Sequence, residues 1–357
     1  MDKKENQKVL IICFANLRNV PYINSYTNIM DDNNVNYDIV YWKRYNIEEN
    51  IKCDKLYTFN LLQNDEINKI VKMKNMIAYG KYVKKIIEKE KYNKIIVLTT
   101  LLGVILERYL TRYKKNKYIL DIRDHSYEHI KVYYTILNKL MKNAAINVIS
   151  STGFKNFLPE VDTVLCHNCA TGLESKGTMP VQSDKIVISF IGQVRYSQKY
   201  MNFLESIKNN EKIIFRFYGF GEDLNYLQEY KNKNHINNIE FYGAYKPCEK
   251  EKIIKETDII FNVYGNDLHV KYAVSNKYYD ALVYQKPMIV SKGTTMEEIT
   301  CGFSYSVTSD KFDATELIKW YEDLDYNKIE KICSAKLEKV KADMDIFDRY
   351  VKNFLES

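Results

Sequence analysis

The sequence predicts an α/β protein built from two doubly wound domains, and three observations support this. Short, β-branched apolar runs alternate with longer amphipathic segments, the alternation stops over 169–185, and it then restarts. The chain has 357 residues, more than the ~250–300 at which single cores stop growing. Strands separated by helices predict βαβ units, in which helices cover both faces of a parallel sheet.

The first domain is predicted over 1–168. Its strands are short runs rich in Ile and Val, as in strands buried within a parallel sheet. The segments between them are longer and have apolar residues at helical spacing. The predicted strands are 8–14, 37–42, 94–98, 117–122 and 145–149, and the predicted helices include 66–91, 101–113 and 130–143.

The second domain is predicted over 186–325, after a linker at 169–185 that has little apolar content. The charged segment 326–357 is predicted as a helix that lies outside this domain and returns to the first. Two such domains in tandem predict a ligand-binding cleft between the carboxyl ends of their sheets. The predicted strands are 186–191, 213–218, 239–242, 258–263 and 287–291, and the predicted helices are 200–209, 223–232, 250–257 and 276–284.

Charge is unevenly distributed along the chain, although the net charge is only +7. Residues 1–170 contain 27 Lys and Arg against 18 Asp and Glu, whereas the remainder contains 26 against 28. The basic half predicts an anionic partner, such as membrane headgroups, while a lysine-rich solvated surface is an equally good explanation. No basic-aromatic motif typical of RNA binding occurs, so a nucleic-acid partner is not expected.

Cellular location is predicted from two absences. No apolar segment follows the polar N-terminus as in a secretory signal, and no run is long enough to span a bilayer. The seven cysteines are scattered and odd in number, as expected for reduced thiols. We therefore expect a cytoplasmic protein, and the basic half is compatible with peripheral association at the inner face of the plasma membrane.

Candidate anion-binding residues follow the first strand of the second domain. Gly192 ends that strand and allows a phosphate or another backbone to approach closely. Arg195 and Lys199 follow near a predicted helix start, where cations are unfavourable unless an anion is bound. Ordinary surface charge at a helix start is the alternative. Gly219 and Gly243 end the next two predicted strands, and each alone is also compatible with a simple turn.

The predicted helix 276–284 offers a second anion site. Ser275 is a good N-cap, and Asn276 and Lys277 fall in the first turn, where free N–H groups favour a phosphate. Asp280 lies one turn on and is suited to accept hydrogen bonds from a ribose diol. A capped structural helix with an exposed Asp is the alternative.

These segments resemble GT-B glycosyltransferases of the family-four type, among them bacterial capsule and polysaccharide biosynthesis transferases. The resemblance implies two Rossmann-like domains facing a central cleft. It implies diphosphate binding by the residues from Gly192 to Lys199, ribose binding by Asp280, and a nucleotide region at Gly219 and Gly243. The matching segments are 190–192 (FIG), 218–221 (YGFG), 241–243 (FYG), 276–282 (NKYYDAL), 286–291 (KPMIVS), 120–124 (LDIRD), 149–154 (ISSTGF) and 167–168 (HN).

The chain departs from this pattern at Tyr272, where the family has the earlier of two glutamates. Nearby Asn266, Asp267 or His269 could supply the missing role. The more distant element with a Glu near the donor sugar has only a poor counterpart at 292–297.

In the first domain Asp124 and His125 follow a strand and are the candidate catalytic residues, because either could orient or deprotonate an acceptor hydroxyl. An internal ion pair between Arg123 and a neighbouring Asp is the alternative. No metal ion is expected, since the Asp-x-Asp at 343–345 falls inside the charged C-terminal helix and not at a strand end.

The expected function is transfer of a sugar, as by a hexosyltransferase, from a UDP- or GDP-linked donor to a polysaccharide or lipid-linked precursor. The reaction is expected to retain anomeric configuration and to need no metal or further cofactor. Two alternatives stay open, a UDP-sugar epimerase of the same fold and a non-catalytic subunit that binds nucleotide sugars or anionic lipids.

Overall fold

The computed structural model describes residues 8–63, 67–169, 173–177, 184–310 and 312–357. The chain divides into two compact units, Met1–His167 with Asp343–Ser357, and Asn168–Ala342. Parts of the predicted linker, 170–172 and 178–183, lie outside the described residues. None of the helices in the described ranges has the length and apolar character needed to cross a bilayer.

Unit 1 is built on a parallel seven-stranded sheet with the order β3-β2-β1-β4-β5-β6-β7. Its strands are β1 (Val9–Cys13), β2 (Tyr37–Lys43), β3 (Leu56–Asn60), β4 (Lys94–Leu98), β5 (Tyr118–Ile122), β6 (Ile146–Ile149) and β7 (Val164–Leu165). Its helices are α1 (Asn24–Asp32), α2 (Lys69–Glu90), α3 (Thr100–Tyr113) and α4 (Lys131–Asn143).

The two faces of this sheet have different covers. On one face α1 packs with the end of the C-terminal helix, where the rings of Tyr26 and Phe347 meet edge to face at 5.2 Å. On the other face α2 packs beside α3, and α3 beside α4. An aromatic cluster that includes Trp42 and Tyr79 lies under α2. Alternate residues of β1 therefore enter two separate cores.

Unit 2 is built on a parallel six-stranded sheet with the order β10-β9-β8-β11-β12-β13. Its strands are β8 (Ile186–Ile191), β9 (Ile213–Tyr218), β10 (Ile239–Gly243), β11 (Ile259–Asn262), β12 (Met288–Ser291) and β13 (Ser304–Val307). Its helices are α5 (Met201–Ile207), α6 (Leu224–Lys233), α7 (Lys250–Lys255), α8 (Leu268–Lys271), α9 (Asn276–Tyr284), α10 (Thr295–Ile299), α11 (Ala314–Glu322) and the beginning of α12 (Tyr326–Glu356).

The predicted fold class is confirmed, because both sheets are parallel and doubly wound. The strands that the sequence analysis missed are β3, β7 and β13. Each is short or lies at a sheet edge with half-exposed side chains, so none has a continuous buried apolar run. Edge strands weaken the hydrophobic pattern by which strands are predicted.

Candidate functional site

In each sheet the strand order changes direction at one place, and open α/β sheets bind ligands outside the carboxyl ends of the strands there. In unit 2 this switch point lies between β8 and β11, from which β9 and β10 extend to one side and β12 and β13 to the other. The loops after β8 and β11 are therefore the first place to look for binding residues.

Three predicted glycines form a row at the carboxyl ends of β8, β9 and β10. The Gly192 N–H donates to the Tyr218 carbonyl at 2.8 Å, and the Gly219 N–H donates to the Gly243 carbonyl at 2.7 Å. A Cβ at residue 219 would lie 1.8 Å from the Gly192 carbonyl oxygen, and φ there is +144°, so only Gly fits. Apart from the chain neighbours, no heavy atom of the described residues lies within 4 Å of the Cβ positions of Gly192 and Gly243, so there is open space beside both glycines.

Arg195 lies in the loop after β8, beside this row. Its guanidinium lies 5.0 Å from the ring centroid of Tyr196 and 5.9 Å from that of Tyr264. The Nε is buried and has no hydrogen-bond partner among the described residues. Buried polar groups are normally paired, so an unpaired guanidinium N–H at a switch point is suited to an anionic ligand.

Lys199 lies in a short 3₁₀ turn that precedes α5, and its side chain reaches the loop after β11. Its Nζ lies 2.8 Å from a carboxylate oxygen of Asp267. Its side-chain stem passes 2.8 Å from the Cβ position of Gly265, where φ is +81°, and a larger residue would displace it. A carboxylate of the chain itself is thus paired with this cation.

Lys277 is the third cation, and it is buried at the start of α9. Only 6% of it is exposed. Its Nζ donates to the Tyr264 hydroxyl and lies 4.4 Å from the Phe190 ring centroid and 4.5 Å from that of Tyr264. These aromatic faces offset the unfavourable helix dipole at this position.

The sequence analysis missed Tyr264 and Gly265, which connect the three cations. Both follow β11, and their backbone N–H groups donate to the Ser291 hydroxyl at 3.0 and 2.9 Å. This fixes the loop against the end of β12 and presents the Tyr264 ring to Arg195 and Lys277. The only sequence signal was an aromatic–Gly pair directly after a strand.

The N-terminus of α9 has the predicted cap. The Ser275 hydroxyl accepts from the Lys277 N–H at 3.3 Å, and Asn276 is exposed in the first turn. The exposed Asp offered as an alternative for residue 280 is not found. Instead, the Asp280 carboxylate accepts from Lys250 Nζ at 2.7 Å and is mostly buried. Burial raises the pKa of Asp280, opposed by the nearby charges of Lys250 and Lys277.

The three residues that could replace the missing glutamate have different environments. Asp267 pairs with Lys199, whereas Asn266 and His269 are exposed. Tyr272 is half-buried, with Lys271 Nζ 5.3 Å from its ring centroid. Glu297 accepts from the Gly293 N–H at 2.7 Å and so stabilises the turn into α10.

In unit 1 the ion pair proposed as an alternative is present. Arg123 donates from Nε and Nη2 to the two carboxylate oxygens of Asp121, at 2.6 and 2.7 Å, and both residues are buried. The Tyr26 hydroxyl also donates to Asp121, at 2.7 Å. Burial alone would lower the pKa of Arg123, but the Asp121 charge holds it well above its ordinary value. The charges of Arg123 and Asp121 thus neutralise each other within the core.

Asp124 and His125 follow this pair at the end of β5. Asp124 is exposed, as a residue that meets an acceptor must be. The His125 ring is packed at 4.9 Å against Phe157, and its Nε2 lies 3.8 Å from Glu128. Only 5% of the His125 side chain is exposed, so Asp124 is the more accessible of the two candidate bases.

The switch point of unit 1, between β1 and β4, is filled by groups of the chain itself. The Glu49 carboxylate accepts from the backbone N–H groups of Leu17 and Arg18, at 2.9 and 3.2 Å, and from the Asn16 side chain at 2.9 Å. Thr99, after β4, has φ of +144°, which is strained for a β-branched residue. The sequence signalled neither Glu49 nor Thr99.

The Asp-x-Asp of the C-terminal helix is not simply solvated. Asp343 lies 3.1 Å from Nε2 of His167, and both belong to unit 1. Within the described ranges, no group of three or more His, Cys, Asp or Glu side chains is arranged to hold a metal ion.

Comparison with known proteins identifies the fold. No protein-family model and no curated protein sequence matches the chain. Sucrose-phosphate synthase from Thermosynechococcus elongatus is 12% identical with a TM-score of 0.72, covering 99% of this chain and 100% of that chain. HepE from Anabaena, solved with UDP, is 11% identical with a TM-score of 0.68, covering 97% and 100%. A glycosyltransferase from Rickettsia africae is 12% identical with a TM-score of 0.67, covering 99% and 100%.

The chain has the GT-B fold. At these identities the likeness establishes the fold alone, so the reaction must be argued from the site. The neighbours include sugar-transferring enzymes, and HepE was also solved with UDP-glucose. The sequence-based expectation of a GT-B protein is thereby confirmed at the level of fold.

Proposed function

We propose that this protein is a glycosyltransferase whose unit 2 binds a nucleotide-diphosphate sugar at the switch point between β8 and β11. One observation carries the proposal: Arg195, Lys199 and Lys277 converge on the Tyr264–Gly265 loop, beside a glycine row with open space above it. Three cations at one switch point suit a diphosphate, and the open glycine ends admit the nucleoside.

The cations account for catalysis without a metal ion. Departure of the nucleoside diphosphate leaves negative charge on the phosphate oxygens, and fixed cations stabilise that charge as it forms. Arg195 brings an unpaired N–H, and Lys277 brings a positive charge held by two aromatic rings. The proposed reaction is retaining and metal-independent, so turnover is expected to persist in EDTA.

The remaining donor contacts are proposed from α9 and the strand ends. Ser275 and Asn276 lie at the α9 N-terminus, where N–H groups favour a phosphate. Asp280 lies one turn further into α9. Its carboxylate would accept hydrogen bonds from a ribose diol while it also accepts from Lys250. Gly219 and Gly243 border the nucleotide region. The donor is UDP- or GDP-linked, and UDP is the first to test because a neighbour of the same fold binds it.

The acceptor is proposed to be a surface-polysaccharide or glycolipid precursor that meets unit 1. Exposed Asp124 would orient or deprotonate its hydroxyl. The excess of Lys and Arg over 1–170 supports an anionic or lipid-linked acceptor at the cytoplasmic membrane face. Such an acceptor agrees with the resemblance of the sequence to transferases of capsule and polysaccharide biosynthesis.

Calorimetric titration with UDP and with inorganic pyrophosphate tests the donor site. Lys277→Met and Arg195→Met are each expected to weaken both ligands ten- to hundred-fold, since a charged hydrogen bond contributes ~1.5–3 kcal/mol. Asp280→Asn is expected to weaken UDP and leave pyrophosphate nearly unchanged. The matched control is Lys212→Met, because Lys212 precedes β9 at the opposite sheet edge and pairs with Glu322.

Thermal unfolding of each variant separates binding from folding. Lys277 is buried, so a lower Tm of Lys277→Met without a change in UDP affinity would make it a structural residue. The donor site is wrong if Arg195→Met also binds UDP like the unchanged protein. UDP at a hundred times its dissociation constant should stabilise the folded protein by ~2.7 kcal/mol.

A further inference from the structure

The outer face of α2 has an apolar stripe that packs against no core. Ile70, Met73 and Ile77 lie at helical spacing on the side of α2 opposite its buried residues, and their exposed fractions are 68%, 46% and 44%. The buried residues Met76, Tyr79 and Val83 form the separate inner face. A solvated helix normally has polar residues on its outside, so this stripe requires an explanation.

Leu62, in the segment before α2, is a further exposed apolar side chain, and the residues on either side of it are fixed. The Trp42 indole N–H donates to the Leu61 carbonyl at 2.7 Å. The buried Gln63 donates its backbone N–H to the Arg44 carbonyl at 2.8 Å and accepts from the Asn75 side chain at 2.8 Å. Leu62 lies between these two anchors and is 62% exposed.

A second exposed apolar pair lies at the start of α4. Ile130 and Val132 are 45% and 69% exposed. In a parallel sheet, helices that follow strands begin at the carboxyl edge, and α2, α3 and α4 lie side by side on one face. Both groups are therefore at the same edge, about 16–20 Å apart for two helix spacings. We call Leu62, Ile70, Met73, Ile77, Ile130 and Val132 the apolar rim.

The charge around the apolar rim has one sign over a long stretch. Between residues 67 and 87 the sequence has lysine at 69, 72, 74, 81, 84 and 85 and no Asp or Glu. Lys74, Lys81 and Lys85 are exposed on the outer face of α2. Asp65 and Glu66 precede this stretch, outside the described residues. Exposed isoleucines beside lysines are typical of helices that lie in the interface of an anionic bilayer.

We propose that the apolar rim docks unit 1 onto an anionic phospholipid membrane. The rim enters the boundary between headgroups and acyl chains, and the lysines of α2 contact lipid phosphates. Charge decides between occupants: a second copy of this chain would bring the same lysines together, whereas anionic lipid complements them. This proposal deepens the proposed function, because a membrane-docked unit 1 would meet a lipid-linked acceptor. Only that link to the acceptor rests on the proposed function, since docking itself requires no transfer activity.

Vesicle flotation tests the proposal with two lipid compositions, phosphatidylcholine alone and phosphatidylcholine mixed with phosphatidylglycerol. The full chain is expected to bind the mixed vesicles and to leave the neutral ones largely unbound. The variant Ile70→Ser/Met73→Ser/Ile77→Ser is expected to lose at least ten-fold in binding, because each inserted side chain contributes about that factor when fully buried. The variant Lys74→Gln/Lys81→Gln/Lys85→Gln is expected to lose roughly hundred-fold, about five-fold per lysine.

The matched control is Ile346→Ser/Tyr350→Ser. These residues are 40% and 48% exposed on α12, which covers the opposite face of the unit 1 sheet. Their replacement is expected to leave flotation unchanged. Because all substituted side chains are exposed, each variant should unfold at the temperature of the unchanged protein, which thermal unfolding checks.

Three outcomes would overturn the proposal. The first is equal flotation of the serine variant and its control, and the second is no flotation of the unchanged chain. The third is a concentration-dependent dimer of the unchanged chain in sedimentation that the serine substitutions abolish, together with no binding of the unchanged chain to vesicles. UDP titration on the same proteins separates the two ideas: loss of flotation with intact UDP binding concerns the rim, whereas flotation without UDP binding concerns the donor site.

Discussion

The two units share the order of their first six strands, and unit 1 adds a seventh, but the polar groups at their switch points are paired differently. In unit 2 Arg195 has an unpaired N–H, and Lys199 is occupied only by an exposed carboxylate. In unit 1 the Glu49 carboxylate already occupies the backbone N–H groups after β1, and Arg123 is bound to a buried Asp121. The unsatisfied and weakly satisfied cations of unit 2 therefore support the donor site that we propose there, whereas the corresponding groups of unit 1 are paired within the chain.

The comparison separates an arginine with a structural ion pair from one that we propose to bind the donor. Arg123 and Arg195 both follow strands and both contact aromatic rings, at 4.5 Å from Tyr22 and 5.0 Å from Tyr196. They differ in their acidic partner, because Arg123 has a bidentate carboxylate and Arg195 has no such ion pair among the described residues. Motif matching alone cannot distinguish these two environments.

The largest expected effect follows from this pair. Arg123→Met should lower the free energy of unfolding by about 3–5 kcal/mol, since it leaves the Asp121 carboxylate buried without its cation. Arg195→Met should change that free energy by less than ~1 kcal/mol, because the Nε it removes has no partner. Urea denaturation followed by circular dichroism measures both. Equal destabilisation by the two substitutions would break the distinction between the units.

A buried lysine in unit 2 provides the reverse case. Lys286 is 2% exposed, and its Nζ has no hydrogen-bond partner among the described residues. Burial lowers its pKa from 10.5 to about 8, opposed by the charge of Asp258. Lys286→Met should therefore stabilise the protein at pH 7 by about 1–3 kcal/mol, with Asp258 limiting the gain.

The pH dependence has a definite sign. Between pH 8 and 10.5 the unfolded chain binds more protons at Lys286 than the folded protein does, so the unfolding free energy of the unchanged protein rises with pH. The difference between Lys286→Met and the unchanged protein should shrink across this window, as measured by urea denaturation at several pH values. A variant that is less stable at pH 7 would instead indicate a favourable pair between Lys286 and Asp258.

Much of the fold can be predicted from local sequence, because buried strands such as β1 and β8 are short apolar runs rich in Ile and Val. The candidate donor residues Gly192, Arg195 and Lys277 are also local signals, since each lies at a strand end or helix start. The packing that gives them partners is not local. Tyr264 meets Lys277 across 13 residues of chain, and Lys199 meets Asp267 across the turn after another strand.

The first unit shows the same limit more strongly. Glu49 lies in a segment without regular structure, and its contacts with residues 16–18 depend on how two loops meet at the sheet edge. Arg123 pairs with Asp121, which is buried within β5, and not with Asp124, which is exposed beyond the end of that strand. Periodicity predicts that a residue is buried, but it does not predict which buried polar groups pair.

The smallest expected effect tests whether Asp267 competes with the ligand for Lys199. The Asp267 carboxylate lies 2.8 Å from Lys199 Nζ, and 54% of its side chain is exposed, so the pair contributes at most ~1 kcal/mol. If a diphosphate displaces it, Asp267→Asn should strengthen UDP binding by up to about five-fold, measured by calorimetric titration.

The control for this prediction is Glu322→Gln, which removes the carboxylate of a similar exposed pair with Lys212, 3.2 Å apart at the opposite edge of the same sheet. It should leave UDP affinity unchanged. Since competition acts through Lys199, the gain from Asp267→Asn should vanish in a Lys199→Met background, while Lys199→Met alone weakens UDP. If Asp267→Asn weakens UDP binding instead, the carboxylate orients Lys199 toward the ligand. The exposed pair of Lys199 and Asp267 in unit 2 would then position its cation as the buried pair of Arg123 and Asp121 does in unit 1.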